Sequence, residues 1–514
     1  VPLPRTRRAP LARLLSLTAA ATAAALPLTL GSHAGAVGTA RPEPTVAEVP
    51  AGLARAAEGE SPLVLWAPSK IETTAYRGRV YTGFGVRLVA PTAPVEIRAH
   101  RPSYDEEIAA TWLSPDGEKA LPAGSMTDFS GLDDLIEVEL TAKGTTRRLT
   151  LDGCLGGYAQ RIRPDAPARN PYPWGCPYNP FTVGSVMGLE AGYAAAPIDE
   201  WSNRLRIKPG KYDVTVRIAP AYASFFGISS DDATQQLRLV VVDEGRGDSG
   251  PGVGRRADGT PLQPASPAPA GPGAEPADDG PRPDLRSLPA WDIGLNGKGT
   301  VIRFAATVWN AGDSPLVVDG FRAEDEDHMA AYQYFFDASG EQTGYQEVGE
   351  MHWHAENHQH WHFEDFAQYR LLGEDQREVV LSGKQSFCLA NTDAVDYTVP
   401  GADWHPENTD LSTACGGFDA ISVRQVLSAG SGDTYHQFRY GQAFGIKNVP
   451  DGVYYIAVQA NPMRNLVESD VTNNDALRKI ELRTTKRGER RLKVHRVGVV
   501  EDQLPDWMRR AITR

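Results

Sequence analysis

Cysteine is scarce in this sequence, with four in 514 residues. No two stand in a CxxC pair, which excludes a thiolate zinc site of the usual spacing. Long apolar runs are scarce as well. Beyond residue 36 none reaches the ~18 residues a membrane span requires, so no transmembrane segment is expected in the mature chain. Positive charge is in deficit: 52 Lys and Arg face 65 Asp and Glu, a net charge of −13. A nucleic-acid binder would present a basic face, so that class is set aside and no nucleic acid partner is expected. Glycine and proline are plentiful, at 50 and 39, but not periodic, which excludes a collagen-like fibre. No long helical periodicity appears either.

What is present begins with a secretory pattern over residues 1–36. Arg5, Arg7, Arg8 and Arg13 form a basic region, an apolar stretch follows from Leu14 to about Leu30, and Ala34-Gly35-Ala36 supplies a cleavage site for a signal peptide. Arg7-Arg8 lacks the usual companions of a twin-arginine signal, so general secretory export is the default. The expected product is secreted and extracellular, either soluble or loosely associated with the cell wall. Such a compartment is oxidising, and four cysteines there permit three pairings. The short-range one, Cys154 with Cys176 and Cys388 with Cys415, keeps each bridge inside one domain and is the expected one.

The rest divides by composition. Residues 37–59 read as a flexible leader. Residues 60–243 carry short runs at strand period, among them Val95–His100, Leu135–Leu140, Tyr212–Ile218 and Leu237–Val242, separated by turn formers such as Pro115-Asp116-Gly117 and Lys143-Gly144. Residues 244–283 hold nine Pro and nine Gly without an aromatic, the composition of a disordered linker that lets its flanking parts move independently. Residues 284–482 again show strands, at Val301–Trp309, Phe363–Leu372, Gln437–Phe444 and Gly452–Asn461. Residues 483–514 carry ten Lys and Arg against four acids and read as a solvated basic tail. The expected fold class is all-β, two antiparallel β-sandwich-like domains joined by the Pro/Gly-rich linker.

Five of the 11 histidines fall in one stretch: His352, His354, His358, His360 and His362. His358-Gln359-His360-Trp361-His362 is H-x-H-x-H. On a strand these three imidazoles share one face, ~7 Å between neighbours, and twist can converge them on one ion. Trp361 and Phe363 then point the other way, into a core. A single histidine is ordinarily structural, but three stacked at strand spacing are unfavourable without an ion between them. Imidazole suits Cu, Zn, Ni and Fe, so spacing leaves the metal open. His352 and His354 are further candidates, as ligands or as groups that orient ligands.

The stretch Met351–Leu372, MHWHAENHQHWHFEDFAQYRLL, resembles the copper-binding segment of the lysyl oxidase family. His358, His360 and His362 occupy the places of its three copper ligands. Ala355-Glu356-Asn357 stands where the animal enzymes have a two-residue spacer. Gly383-Lys384-Gln385-Ser386-Phe387-Cys388-Leu389 resembles the segment with the family's cofactor lysine, and Gly432-Asp433-Thr434-Tyr435 the one with its cofactor tyrosine. Asn461-Pro462 and Glu468–Asn474 match the closing strands. The resemblance covers about 284–482 and does not extend to 60–243. Animal catalytic domains hold several disulfides whereas this one can form only Cys388–Cys415, and the residues between Cys388 and Tyr435 differ at most positions.

The resemblance implies copper on the three histidines and a lysine tyrosylquinone made from Lys384 and Tyr435. It also implies oxidation of primary amines, with peptidyl lysine a candidate substrate, by O2 to aldehyde, ammonia and hydrogen peroxide. Asp433, two residues before Tyr435 and on the same strand face, is the candidate base for the α-proton. Taken alone, Lys384 would be a solvated surface residue, Tyr435 a half-buried tyrosine and Asp433 a turn residue; the motif context raises them. Loops around Trp404–Gly417 are candidates for the rim of the site, and the Gly153–Pro177 stretch for a binding loop. Two other readings stay open. One is a non-catalytic copper-binding or adhesion β-sandwich at the cell surface. The other is a zinc hydrolase with Glu356 or Glu364 as base. Neither needs the Lys384/Tyr435 pair.

Overall fold

The computed structural model describes residues 61–243 and 280–502, apart from 76–77, 158, 163–165, 168, 201–202, 323–327, 355–359, 385, 406–414, 417–419, 421 and 440. The chain is almost wholly β, in several antiparallel sheets. Among the described residues no helix is long and apolar enough to cross a membrane.

In the N-terminal part, a five-stranded sheet is built on Leu132–Ala142, Thr145–Gly153, Gly210–Ile218 and Thr234–Asp243, with Lys70–Ala75 added in parallel at its edge. Alternation explains the pairing: Val214, Val216 and Ile218 point inward while Thr215 and Arg217 between them are only partly covered. Two four-stranded sheets complete the layer around Leu65, Phe84, Ile97, Val138 and Leu239. The expected strands lie within observed ones, and Lys143-Gly144 makes its turn with both residues at positive φ. One short helix, Pro220–Phe226, was not anticipated. Proline at its first turn and Gly227 in the left-handed region bound it, and it buries Tyr222 and Phe226.

The C-terminal part has two six-stranded sheets and one five-stranded sheet around one main core, with a smaller cluster of Val317, Phe321, Tyr334 and Val426 beside it. The first centres on Val301–Asn310, which pairs with Ser431–Tyr435. The second runs Ser386–Phe387, His360–Glu364, Gln342–His354, His328–Phe336, Leu316–Arg322, Ser422–Leu427. Two strand expectations need correction. Phe363–Leu372 is broken at Asp365, whose φ of 56° ends one strand and sends the next, Ala367–Leu372, into the third sheet. Gln437–Phe444 is mostly turn, and only Ala443–Gly445 is a strand, because Gly441 takes a φ of 83°.

Residues 483–502 are not a solvated tail. The strand Asp475–Thr484 continues through Arg483, and Arg490–Val494 pairs back on it, so its basic residues decorate an edge strand. Beyond it Val500 is buried and Asp502 holds the buried Arg478 at 2.7 Å.

The N- and C-terminal parts also share a core instead of moving freely about a linker. Phe181 is fully buried among Leu288, Trp291, Trp309, Val395 and Val500. Val183 N–H donates to Val395 O at 2.8 Å, and Tyr397 N–H to Gly184 O at 3.1 Å. A Cβ at Gly184 would collide with the Asp396 carboxylate, so only glycine allows that approach.

Candidate active site

The histidine strand forms as its alternation requires. In His360–Glu364, Trp361 and Phe363 enter the core at 0% and 1% exposure. Across the strand pair, His352 lies opposite His362, so His352, His360 and His362 share one face, and the backbone of His354 is in register with His360. The Nε2 atoms of His360 and His362 are 2.8 Å apart, and His362 Nδ1 lies 3.3 Å from Ser386 Oγ. His352 Nε2 instead meets Glu350 Oε2 at 3.0 Å. His358 lies outside the described residues, as does Glu356. Among the described residues no three His, Cys, Asp or Glu side chains form a complete metal cluster. The donor chemistry nonetheless fits a metal: two converging imidazoles, one of them almost fully buried, with a hydroxyl against the remote ring nitrogen of His362.

Lys384 is buried, at 5% exposure, and its Nζ stands 4.3 Å from the centre of the Tyr435 ring. It approaches Phe387 at 5.1 Å as well. A close backbone passage seats it. Gly441 packs so tightly that a Cβ there would come within 2.8 Å of Lys384 Cβ, and Ser382 Oγ bridges Lys384 N and Gly441 O. Tyr435 is fixed at both ends. Its hydroxyl accepts from Cys388 N at 3.1 Å and donates to Cys388 O at 3.3 Å, and its ring stands edge-on to Phe387 at 4.9 Å.

A disulfide helps tie the two halves of the site together. Cys388 is bonded to Cys415, and Cys154 to Cys176, which is the short-range pairing expected. Cys415 O accepts from the N–H of Trp361, between the two histidines. A path of one disulfide and two hydrogen-bonded contacts therefore joins the histidine strand to the Tyr435 hydroxyl. Gln425 adds a second tie, donating to Trp361 O at 3.1 Å and accepting from Leu389 N at 3.0 Å.

Burial sets the electrostatics. It disfavours the Lys384 ammonium and lowers its pKa to about 8, although Asp433 pulls the other way. Asp433 lies on the same strand face as Tyr435, and its Oδ2 has no hydrogen-bond partner. Burial pushes its carboxyl well above the usual range, and the nearby Lys384 charge offsets part of this. The Tyr435 phenol is likewise pushed up, first by burial and then by Asp433.

At the expected rim, Trp404 stacks on Tyr172 at 6.2 Å and His405 meets Trp174 edge-on at 6.2 Å. The loop braced by Cys154–Cys176 thus lies against this rim, and residues 406–414 of the rim lie outside the described residues. Sequence reasoning missed Ser386, Gly441 and Gln425. Ser386 sits inside a segment already singled out, while Gly441 and Gln425 carry no local signal.

The site is that of an all-β protein with a histidine-bearing strand beside a buried Lys–Tyr pair. Residues 339–489 match the lysyl oxidase family. Protein-lysine 6-oxidase of Homo sapiens is 36% identical over 123 residues, 24% of this chain and 26% of that protein. The Sus scrofa protein-lysine 6-oxidase is 34% identical over 123 residues, 24% of this chain and 43% of its own length. The chain therefore matches less than half of either relative.

Proposed function

We propose that the chain is a secreted, copper-dependent amine oxidase of lysyl oxidase type. Lys384 and Tyr435 become its lysine tyrosylquinone, and primary amines, peptidyl lysine among them, are its substrates. The observation that carries the reading is the buried Lys384 Nζ, 4.3 Å from the Tyr435 ring centre, within the stretch that matches the family. The names of the human and pig relatives suggest the lysine substrate. The basic and apolar pattern of residues 1–36 supports export.

His360 and His362, with His358, would hold copper. Copper and the quinone together would supply the two-electron oxidation by O2 that ordinary side chains cannot perform. The chain's own residues do the remainder. Burial keeps a share of Lys384 neutral, and so nucleophilic, near neutral pH. Phe387 and Cys388 hold the Tyr435 ring and hydroxyl so that one ring face stays turned to Nζ. Asp433 keeps an unpartnered oxygen on that same strand face, where it can take a proton from a bound amine's α-carbon when ionised.

A copper-storing module, an adhesion sandwich or a zinc hydrolase gains nothing from a buried lysine, whose desolvation is unfavourable. Tyr435→Phe tests the reading. It should abolish amine-dependent peroxide release while copper binding persists. Undiminished peroxide release in that variant would sink the quinone mechanism.

A further inference from the structure

The N-terminal sandwich reaches the reverse face of the strand that carries Asp433 and Tyr435. Thr434 on that strand, and His436 just beyond its end, lie to the side away from Lys384. There Asn179, from the N-terminal part, donates from Nδ2 to Thr307 Oγ1 at 3.0 Å and to Thr434 Oγ1 at 3.5 Å. The two threonine hydroxyls are 2.6 Å apart and sit opposite each other in register. Asn179 Oδ1 accepts from Phe181 N at 3.0 Å, and Trp291 Nε1 donates to Thr307 Oγ1 at 3.3 Å. Asn179, Thr307 and Thr434 are all buried, at 3%, 0% and 7% exposure.

The neighbouring Tyr178 stacks its ring on His436 at 6.4 Å, with the planes 18° apart. Its hydroxyl lies near the carboxylate of Asp393, a residue whose strand pairs with the Tyr435 strand. Two consecutive side chains of one domain thus grip two residues flanking Tyr435 in the other. The buried Asn179–Thr307–Thr434 network fixes one arrangement, because breaking any member strands its partners away from water, while Tyr178 packs at its partly exposed edge.

We propose that the N-terminal sandwich is a working part of the Lys384–Tyr435 site, with Tyr178 and Asn179 as positioning residues that hold the tyrosine strand from behind. The inference rests on the quinone reading and extends it by giving the N-terminal domain a role. Joining Lys384 to Tyr435 requires the ring to stay where Nζ can reach it. A displacement of about 1 Å in such a geometry costs up to ~100-fold in rate. Phe387 and Cys388 restrain the Tyr435 side chain, whereas Asn179 holds the side chain of Thr434, the residue before it.

The test uses the full chain, aerated with copper sulfate, as wild type, Asn179→Ala and Tyr178→Phe. The readouts are the rate at which the Lys384–Tyr435 cross-linked peptide accumulates, copper content, and kcat and KM for benzylamine. Asn179→Ala should link at least ten-fold more slowly and lose kcat, with copper content and KM unchanged; a merely structural defect would lower copper content as well and raise KM. Tyr178→Phe keeps the ring on His436, removes only the hydroxyl, and should link at least three-fold more slowly. If Asn179→Ala does not fold, Tyr178→Phe decides. Wild-type linking rate and kcat in the folded variants overturn the proposal. A wild-type chain that binds copper and never links overturns the quinone reading itself, an outcome distinguishable from the first.

Discussion

Raising the pH should accelerate the joining of Lys384 to Tyr435 and then cease to do so near pH 8. Only the neutral amine is a nucleophile. Burial lowers the Lys384 pKa to about 8 from the ordinary 10.5; Arg439 lowers it further, while Asp433 and Glu364 hold it up. At pH 7 roughly one lysine in ten is then neutral, against about 0.03% for a solvated lysine, an advantage of about 300-fold. The rate should climb close to ten-fold per unit between pH 6 and 7 and flatten above about pH 8 to 9. Copper-loaded protein, aerated at a series of pH values and digested at timed points, gives the rate from the cross-linked peptide. A rate still rising ten-fold per unit through pH 10 would refute the reasoning, since that is the behaviour of a solvated lysine. The same shift has a stability consequence. Between about pH 8 and 10.5 the unfolded chain holds a proton on this lysine that the folded chain has lost, so stability rises with pH across that window.

Other consequences follow from particular contacts. Gly441→Ala places a Cβ 2.8 Å from Lys384 Cβ at a φ of 83°; it should destabilise by about 1 kcal/mol or more and slow the cross-link, read by urea midpoint and peptide map. Replacing Cys388 and Cys415 together by serine opens a bridge of sequence separation 27 and should cost about 3.5 kcal/mol by the loop-entropy relation, again measured in urea. Copper-dependent linking should slow in that variant, because the tie between the histidine strand and the Tyr435 hydroxyl is cut. Asp319→Ala removes a buried carboxylate that takes two 2.7 Å bonds from Arg424, and a loss of about 3 to 5 kcal/mol is expected; a change below 1 kcal/mol would contradict it.

Local patterns made much of this molecule legible. The period of two in His360-Trp361-His362-Phe363 placed the aromatics in the core, and strand-period runs placed four N-terminal strands, Val95–His100 at its observed bounds and the other three within three residues. The all-β class follows from such patterns summed along the chain. Features that depend on distant partners were not legible. Asp365 and Gly441 break expected strands through backbone conformations that the apolar alternation around them conceals. The basic residues after Thr484 look solvated because charge is counted along the chain, whereas the edge strand Arg490–Val494 exposes its charges and still pairs. Lys384 and Tyr435 are far apart in sequence, and no spacing rule brings them together; only the motif resemblance pointed to the pair. The grip of Tyr178 and Asn179 on the tyrosine strand has no sequence signature, since a buried asparagine reads like any loop asparagine until its partners are seen.

The most direct measurement is the mass of one peptide. The full chain, expressed without copper, is aerated with copper sulfate, digested and mapped for Lys384 and Tyr435. The account expects the two residues in a single cross-linked peptide that appears only with copper and oxygen. Both residues recovered separately and unmodified from copper-loaded protein would contradict it and leave a copper-binding β-sandwich.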